Sequence, residues 1–410
     1  MSNLRLDASG LRLPGLASAH SHAFQRALRF RTQRRSGAAP GSFWSWRGLM
    51  YELAGRVGPE EIFAISRYAF AELALSGVTA VGEFHYLHHQ PDGRPYADRT
   101  ILADAVIRAA REVGLRITLL RVLYHRAGWN RPPEGAQRRF SDPALEPALE
   151  DVSELERRHA ADPLVRIGVA PHSVRAVPSA WLLEAARFAE ARLAPLHAHL
   201  SEQRREVREC LAEHGLRPVH LLEQAGALSD RFVAVHATHL SPSERRALGQ
   251  AHAFACIART TERDLGDGLP DAAGLLREGV RLCAGVDSHA SSDPFEEVRA
   301  IELDERSRAE ARIVCAQADT LLEAASAHGY QAIGMAGLAI EDEVRLDPAD
   351  PALVGLDAET AVDAAIFAAG PRAVREVRVA GRPIVSEGQL PGFEAIREAY
   401  LETLRSLGLG

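Results

Sequence analysis

Eight short apolar runs recur along the chain as far as Val286, and amphipathic stretches separate them. The runs are almost continuously apolar, which is typical of parallel strands that are buried on both faces. We predict strands at Leu11–Ser18, Val78–Phe84, Leu115–Leu123, Val165–Pro171, Leu193–Leu200, Phe232–Thr238, Ala253–Ala258 and Val280–Val286.

The stretches between these runs have the periodicity of helices. In the clearest one, Ile62, Ile65 and Ala69 share a face, Pro59 opens the helix and Gly77 follows it. Further helices are predicted at Ile101–Val113, Ala180–Arg192, Arg204–Glu213 and Ser243–Gln250. Eight strands that alternate with helical stretches predict a (β/α)8 barrel.

The pattern changes beyond about residue 340, where short apolar runs are broken by turn residues. This pattern predicts a small β domain. We expect residues 1–12 and 340–390 to form this domain, residues 13–339 to form the barrel, and residues 391–410 to hold a closing helix over Pro391–Leu407.

Composition excludes several classes of protein. The 410 residues carry a net charge of -7, so no general basic field exists to attract nucleic acid. No apolar run is long enough to cross a bilayer and the first ten residues lack an apolar signal core, so we expect a cytoplasmic protein with no membrane partner. The four cysteines lie far apart without C-x-x-C spacing, which disfavours a disulfide framework or a thiolate metal site.

The chain contains no lysine, so all of its 48 basic residues are arginines. This absence excludes Schiff-base catalysis by lysine and a Walker-type phosphate loop. It equally excludes a metal centre that is bridged by a carboxylated lysine.

Polar side chains stand at the carboxyl ends of the predicted strands, where the active site of a (β/α)8 barrel lies. A histidine at nearly every strand end is hard to explain by core packing. The residues concerned are His20, His22, Glu83, His85, Tyr86, Tyr124, His125, His172, Arg175, His199, Glu202, His236, His239, Thr261, Glu262, Asp287 and His289.

Part of this set has the composition of a hydrolytic metal site. Neutral imidazoles and one carboxylate are ligands that suit Zn²⁺, and Fe²⁺ or Mn²⁺ as well. Such an ion lowers the pKa of bound water, while acidic side chains move protons and a further group hydrogen-bonds the reacting centre. The candidate ligands are His20, His22, His199 and Asp287, and the candidate catalytic groups are Glu202, His236 and Asp287.

Two long connections on the same rim are predicted as loops, at Arg29–Arg47 and His125–Phe140. The first is rich in glycine, serine and arginine. It is either a lid whose arginines meet an anionic substrate or a solvated basic loop, and both interpretations remain open.

Several motifs resemble those of the amidohydrolase superfamily in its mononuclear deaminase branch, and more narrowly the formimidoylglutamate deiminase family. The similarity runs from Leu13 to about Glu297 and continues more faintly to Gly388. The motifs are HSHAFQRA, SFWSWRGLMYE, GVTAVGEFHYLHH, GAQRRF, HSVRAV, HAHLSEQRREV, VHATH, TTERDLGDG and GVDSH.

This resemblance implies a zinc-dependent hydrolase that converts N-formimino-L-glutamate to N-formyl-L-glutamate and ammonia in histidine degradation. It implies one Zn²⁺ per chain, a homodimer, and a barrel with a β domain built from the chain termini. The zinc ligands would be His20, His22, His199 and Asp287, and catalysis would use Glu202, His236 and Asp287. The glutamate end of the substrate would contact Gln25, Arg47, Tyr86, His172 and Arg175.

The sequence departs from the family pattern in three places. The family's PTTEANLGDG is here RTTERDLGDG, which introduces Arg259, Arg263 and Asp264, and Asp293 adds an acidic group after the last strand. Only about ten residues precede Leu11, so we expect the β domain to be reduced. Two alternatives stay open: a deaminase of another imino acid or a cyclic amidine such as a purine or triazine, and a catalytically silent metal-binding relative.

Overall fold

The computed structural model describes residues 4–7, 10–34 and 41–410. Within these residues the chain forms short strands and helices in alternation. The strands are β1 (Arg5–Asp7), β2 (Gly10–Pro14), β3 (Leu16–Ser21), β4 (Val78–His85), β5 (Arg116–Leu123), β6 (Val165–Pro171), β7 (Leu196–Leu200), β8 (Phe232–His236), β9 (Phe254–Ile257), β10 (Arg281–Ala284), β11 (Glu343–Leu346), β12 (Val374–Val379) and β13 (Arg382–Val385).

Strands β3 to β10 lie side by side in chain order, and every neighbouring pair is parallel. The first strand and the segment after the last are joined by two backbone hydrogen bonds. The N–H of His22 donates to the carbonyl of Asp287 at 2.9 Å, and the N–H of Asp287 donates to the carbonyl of His20 at 3.1 Å. The predicted (β/α)8 barrel is therefore confirmed.

Helices cover the outside of the barrel, and the predicted helices are found close to their expected limits. Helix α2 has the predicted limits, Pro59–Leu75. At its start, Pro59 occupies the first turn and the N–H of Gly58 donates to Glu61 Oε2 at 2.8 Å. In the described part of the chain, no helix has the length and apolar character needed to cross a membrane. The helices are α1 (Phe43–Ala54), α2 (Pro59–Leu75), α3 (Ile101–Val113), α4 (Leu145–His159), α5 (Ser179–Arg192), α6 (Arg204–His214), α7 (Pro218–Gln224), α8 (Pro242–Gln250), α9 (Arg259–Leu265), α10 (Ala272–Arg277), α11 (Pro294–Ala309), α12 (Ala318–Ala325), α13 (Ala327–Ala332), α14 (Ala361–Asp363) and α15 (Phe393–Ser406).

The prediction of one strand over Leu11–Ser18 is wrong, since the chain changes sheets at Gly15. Strand β2 pairs antiparallel with β11, whereas β3 begins the barrel beside β4. A Cβ atom at Gly15 would lie 2.6 Å from Tyr330 Oη and 2.8 Å from Thr79 Oγ1, so only glycine fits this crossing. The apolar pattern runs through the crossing because both strands are buried.

The second sheet joins the two ends of the chain in the order β1-β2-β11-β12-β13. Neighbouring strands in it are antiparallel. The predicted small β domain from the chain termini is thus present as a sheet, while the domain limits at residues 12, 339 and 390 stay predictions. Helix α15 returns to the barrel, where Tyr400 stacks on Tyr68 of α2 with ring centroids 4.2 Å apart.

The loop predicted for Arg29–Arg47 is wrong in its last part, because Phe43 to Arg47 form the start of α1. The N–H of Ser42 donates to Ser45 Oγ at 2.9 Å, which caps the helix. Residues 35–40 lie outside the described residues. The second predicted loop, His125–Phe140, contains a 3-10 helix at Gly135–Arg139.

Candidate active site

Four buried side chains converge at the carboxyl ends of β3, β7 and β10: His20, His22, His199 and Asp287. The three Nε2 atoms lie 3.1 Å (His20 to His22), 3.4 Å (His22 to His199) and 3.2 Å (His199 to His20) apart. Asp287 Oδ1 lies 3.4 Å from His20 Nε2 and 3.3 Å from His22 Nε2. A tetrahedral zinc site with bonds of about 2.0–2.1 Å places its ligand atoms about 3.3 Å apart, so these atoms fit one ion.

The hydrogen bonds behind two imidazoles fix which nitrogen carries the proton. His22 Nδ1 lies 2.9 Å from the carbonyl of Phe84, and His199 Nδ1 lies 3.1 Å from the carbonyl of His172. A carbonyl only accepts, so both Nδ1 atoms are protonated, and burial lowers the pKa of both rings, which keeps them neutral. Two Nε2 lone pairs then face each other at 3.4 Å, an arrangement that a cation stabilises.

The fourth member of the group, Asp287, is a carboxylate. Burial raises its pKa, but the hydrogen bond from His20 and the nearby His236 and His22 hold the pKa well below its usual range. Its backbone is left-handed, with φ of +51°, and His236 at the end of β8 has φ of +72°. Such conformations are costly for residues other than glycine and concentrate at functional sites.

Two further titratable groups face this cluster. His236 Nε2 lies 3.9 Å from Glu202 Oε1 and 3.8 Å from Asp287 Oδ2, while its Nδ1 lies 3.2 Å from Glu262 Oε1. Burial raises the pKa of Glu202 to about 7 although His236 opposes the shift. A carboxyl group with this pKa can both accept and release a proton near neutral pH.

A cleft of about 560 Å³ opens above the cluster, and every predicted substrate-binding residue lines it. In its wall, Gln25 Nε2 donates to Tyr86 Oη at 2.7 Å, and Tyr86 Oη lies 3.4 Å from Met50 Sδ. The lining residues are His22, Gln25, Phe43, Trp46, Arg47, Met50, Tyr51, Tyr86, Tyr124, Phe140, His172, Arg175, His199, Glu202, His236, Leu265 and Asp287.

Two arginines in this lining lack acidic partners. Among the described residues, neither Arg47 nor Arg175 lies within ion-pair distance of a carboxylate. The Arg47 guanidinium stacks on Trp44 and Tyr51, at 4.4 Å and 5.3 Å from the ring centroids, and Arg175 donates to the carbonyl of Ala127 at 3.1 Å. The cleft therefore presents positive charge that an anionic ligand would neutralise.

The other polar residues at the strand ends do not line the cleft. Some contact a lining residue from outside the cleft, as Glu262 contacts His236. The remaining members of the set outside the lining are His20, Glu83, His85, His125, His239, Thr261 and His289. Of these, His20 belongs to the cluster of His20, His22, His199 and Asp287, which we call the metal-ligand group.

The residues that depart from the family pattern also lie outside the lining. Arg259 pairs with Glu262 at 2.5 Å and with Asp304 at 2.7 Å, and Arg263 also pairs with Asp304. Asp293 accepts two backbone N–H groups at the start of α11. Arg259 is buried and reaches the cleft residue His236 through Glu262, which contacts both side chains.

The sequence analysis missed the aromatic and apolar side chains that α1 and neighbouring segments add to the cleft. On α1, residues 43, 46, 47, 50 and 51 recur at helical spacing and share one face. This signal was available in the motif, but the glycine- and serine-rich stretch before it favoured a loop. The missed residues are Phe43, Trp46, Met50, Tyr51, Phe140 and Leu265.

Behind the metal-ligand group, one serine connects three strand ends. Ser21 Oγ donates to Glu83 Oε2 at 2.6 Å and lies 2.9 Å from His289 Nε2, while the N–H of Ala23 donates to Glu83 Oε1 at 2.8 Å. Since Ser21 donates to Glu83, the His289 ring donates to Ser21. These buried contacts join the first strand to the second and to the segment after the eighth.

We predict that Ser21→Ala weakens metal binding by about 10- to 100-fold, because the strand that carries His20 and His22 loses its side-chain hydrogen bonds to Glu83 and His289. Competition with a chromophoric chelator measures the affinity. The control is Ser66→Ala, which removes a buried hydroxyl of α2 that has no hydrogen-bond partner among the described residues. Equal affinities in the two variants would contradict the proposed role of Ser21.

Comparisons with known proteins agree with this geometry. The model of the amidohydrolase family matches residues 11–339. The chain is 38% identical to a formimidoylglutamate deiminase of Pseudomonas aeruginosa over 97% of this chain and 90% of that protein. Among solved structures, an amidohydrolase from Brucella melitensis has 31% identity and a TM-score of 0.90, covering 98% of this chain and 95% of that one.

A more distant structure shares the fold. An adenosine deaminase from Xanthomonas campestris with bound zinc has 24% identity and a TM-score of 0.82, covering 97% of this chain and 86% of that one. The family match and the 38% identical relative each span most of the sequence. The chain belongs to the amidohydrolase family.

Proposed function

We propose that this protein is a zinc-dependent deiminase that hydrolyses N-formimino-L-glutamate to N-formyl-L-glutamate and ammonia. One observation carries the proposal: Arg47 and Arg175 line the same cleft as the metal-ligand group, and neither forms an ion pair with a carboxylate among the described residues. The identity of 38% to a formimidoylglutamate deiminase supports the choice of substrate.

The cleft suits a substrate that is anionic at one end and has a C=N bond at the other. The two carboxylates of N-formimino-L-glutamate pair with the guanidinium groups of Arg47 and Arg175, which form strong charge-assisted hydrogen bonds. Gln25, Tyr86 and His172 complete the polar wall. This arrangement directs the formimino group toward the histidine cluster.

The chemistry divides between an ion and the protein. A bound Zn²⁺ would supply Lewis-acid activation of the attacking water. Glu202 takes a proton as water adds to the formimino carbon and returns it to the nitrogen that leaves as ammonia. Asp287 accepts the second proton of water as the C=O bond forms and the C–N bond breaks, and this proton also goes to the departing nitrogen, so that both protons of water leave in ammonia. His236 donates a hydrogen bond to the tetrahedral centre.

A purine or triazine deaminase is the main alternative, and one observation favours it. Aromatic rings of Phe43, Trp46 and Phe140 line the cleft and could stack on a heterocycle. A neutral heterocycle would, however, leave both arginines without an anionic partner, at a cost in binding. A silent relative is disfavoured since the metal-ligand group and Glu202 are present together.

The proposal also covers the identity of the metal, the cellular location and the oligomeric state. The imidazole and carboxylate ligands suit Zn²⁺ and are compatible with Fe²⁺ or Mn²⁺. We expect the protein to be cytoplasmic, and to be homodimeric as the resemblance implies.

We predict that the zinc-loaded protein releases ammonia from N-formimino-L-glutamate and that a chelated sample does not. Glu202→Gln should lower kcat by about 100- to 10,000-fold because it removes the proton carrier, while zinc content stays at one equivalent. A coupled ammonia assay and metal analysis measure both. The control is Glu209→Gln, on the outer surface of α6, which should keep full activity. Full activity in Glu202→Gln would contradict its role.

Removing either of the two arginines should weaken substrate binding and should change kcat less than KM. We expect Arg47→Met and Arg175→Met each to raise KM by about 10- to 100-fold, the effect of losing hydrogen bonds to a charged group. Steady-state kinetics separate KM from kcat. Arg208→Met, at an exposed position of α6, is the matched control. An unchanged KM in both variants would exclude the arginines as the carboxylate site.

A further inference from the structure

One glutamine outside the cleft contacts two tyrosines that line it. Gln137 is 6% exposed and lies in the 3-10 helix Gly135–Arg139. Its Nε2 lies 3.2 Å from Tyr51 Oη and 3.0 Å from Tyr124 Oη. The N–H of Glu134 lies 3.2 Å from Gln137 Oε1. A backbone N–H only donates, so this contact fixes the amide orientation, and both amide hydrogens point to the phenols.

The direction of these bonds determines where the phenol hydrogens go. Each phenol oxygen accepts from Gln137, so its own hydrogen needs another acceptor. Among the described residues, no acceptor is recorded for the hydroxyl hydrogen of Tyr51 or Tyr124. Two hydroxyl donors are therefore available in the cleft that Arg175 also lines.

The same surroundings keep the phenols protonated. Burial is the main cause that raises the pKa of Tyr51 to about 12, and nearby Tyr124 is the second. Arg47 and Arg175 oppose the shift. All four side chains line the cleft, and the Arg47 guanidinium lies 5.3 Å from the ring centroid of Tyr51. The two guanidinium groups and the two phenols, which we call the corner, each have hydrogens to donate.

We propose that Tyr51 and Tyr124 donate hydrogen bonds to a substrate carboxylate held by Arg175, and that Gln137 is the positioning residue that presents both hydroxyl hydrogens. The identity of the substrate rests on the proposed function. These four donor side chains together suit a carboxylate, whereas the NH₂ group of a carboxamide would face them without an acceptor. The corner thus selects the acid over its amide.

The decisive variant is Gln137→Glu, which replaces a donor by an acceptor of the same size. The new carboxylate takes the phenol hydrogens, so they turn away from the cleft. We expect KM for N-formimino-L-glutamate to rise about 10-fold or more with kcat changed less than about threefold. Tyr51→Phe and Tyr124→Phe should each raise KM by about five- to tenfold. Adding either to Gln137→Glu should raise KM no further, because the hydroxyl is already diverted.

Binding of glutarate, measured by calorimetry on the zinc-loaded protein, separates this proposal from the proposed function. Wild type that binds glutarate but releases no ammonia would overturn the function alone, and the same variants should then still lose glutarate affinity. Gln90→Glu, whose amide contacts only the carbonyl of Pro95 at the surface, is the control. Unchanged KM and glutarate affinity in both tyrosine variants, or no binding of either dicarboxylate by wild type, would overturn the proposal. The tyrosine variants decide it if Gln137→Glu fails to fold.

Discussion

Closure of the barrel is the interaction on which the rest of the structure depends. The two backbone hydrogen bonds between His20, His22 and Asp287 join the first strand to the segment after the last. The side chains of these same residues converge with His199 on one point. Because the residues that close the ring also carry the ligand atoms, an error in closure would displace the ligands. The buried contacts of Ser21 strengthen the same junction from behind.

Charge divides the cleft into two ends with different chemistry. Neutral imidazoles and a carboxylate face one another at the inner end, where a cation compensates their lone pairs and charge. Guanidinium and phenol groups face the other end, where an anion compensates them. The ligand that satisfies both ends carries carboxylates at one end and a group for hydrolysis at the other. This complementarity favours a formimino dicarboxylic acid over the heterocycles of other deaminases.

The sequence predicts the barrel because continuous apolar runs mark buried strands, and many of the polar residues at the strand ends lie together in the structure. Three features escape this reasoning. The crossing at Gly15 depends on contacts with Tyr330 and Thr79, which are distant in sequence. Helix α1 presents its aromatic face to the cleft at helical spacing, but the glycine- and serine-rich stretch before it favours a loop. The pairing of Gln137 with Tyr51 joins residues from separate connections and has no local signal.

The most direct test of the account is a comparison of kcat/KM for N-formimino-L-glutamate and for adenosine, with the same zinc-loaded preparation. The account predicts efficient turnover of the dicarboxylate and no detectable deamination of adenosine, because Arg47 and Arg175 require an anion. Efficient deamination of adenosine without turnover of N-formimino-L-glutamate would contradict it. That result would make the aromatic side chains of the cleft, Phe43, Trp46 and Phe140, the determinants of specificity in place of the arginines.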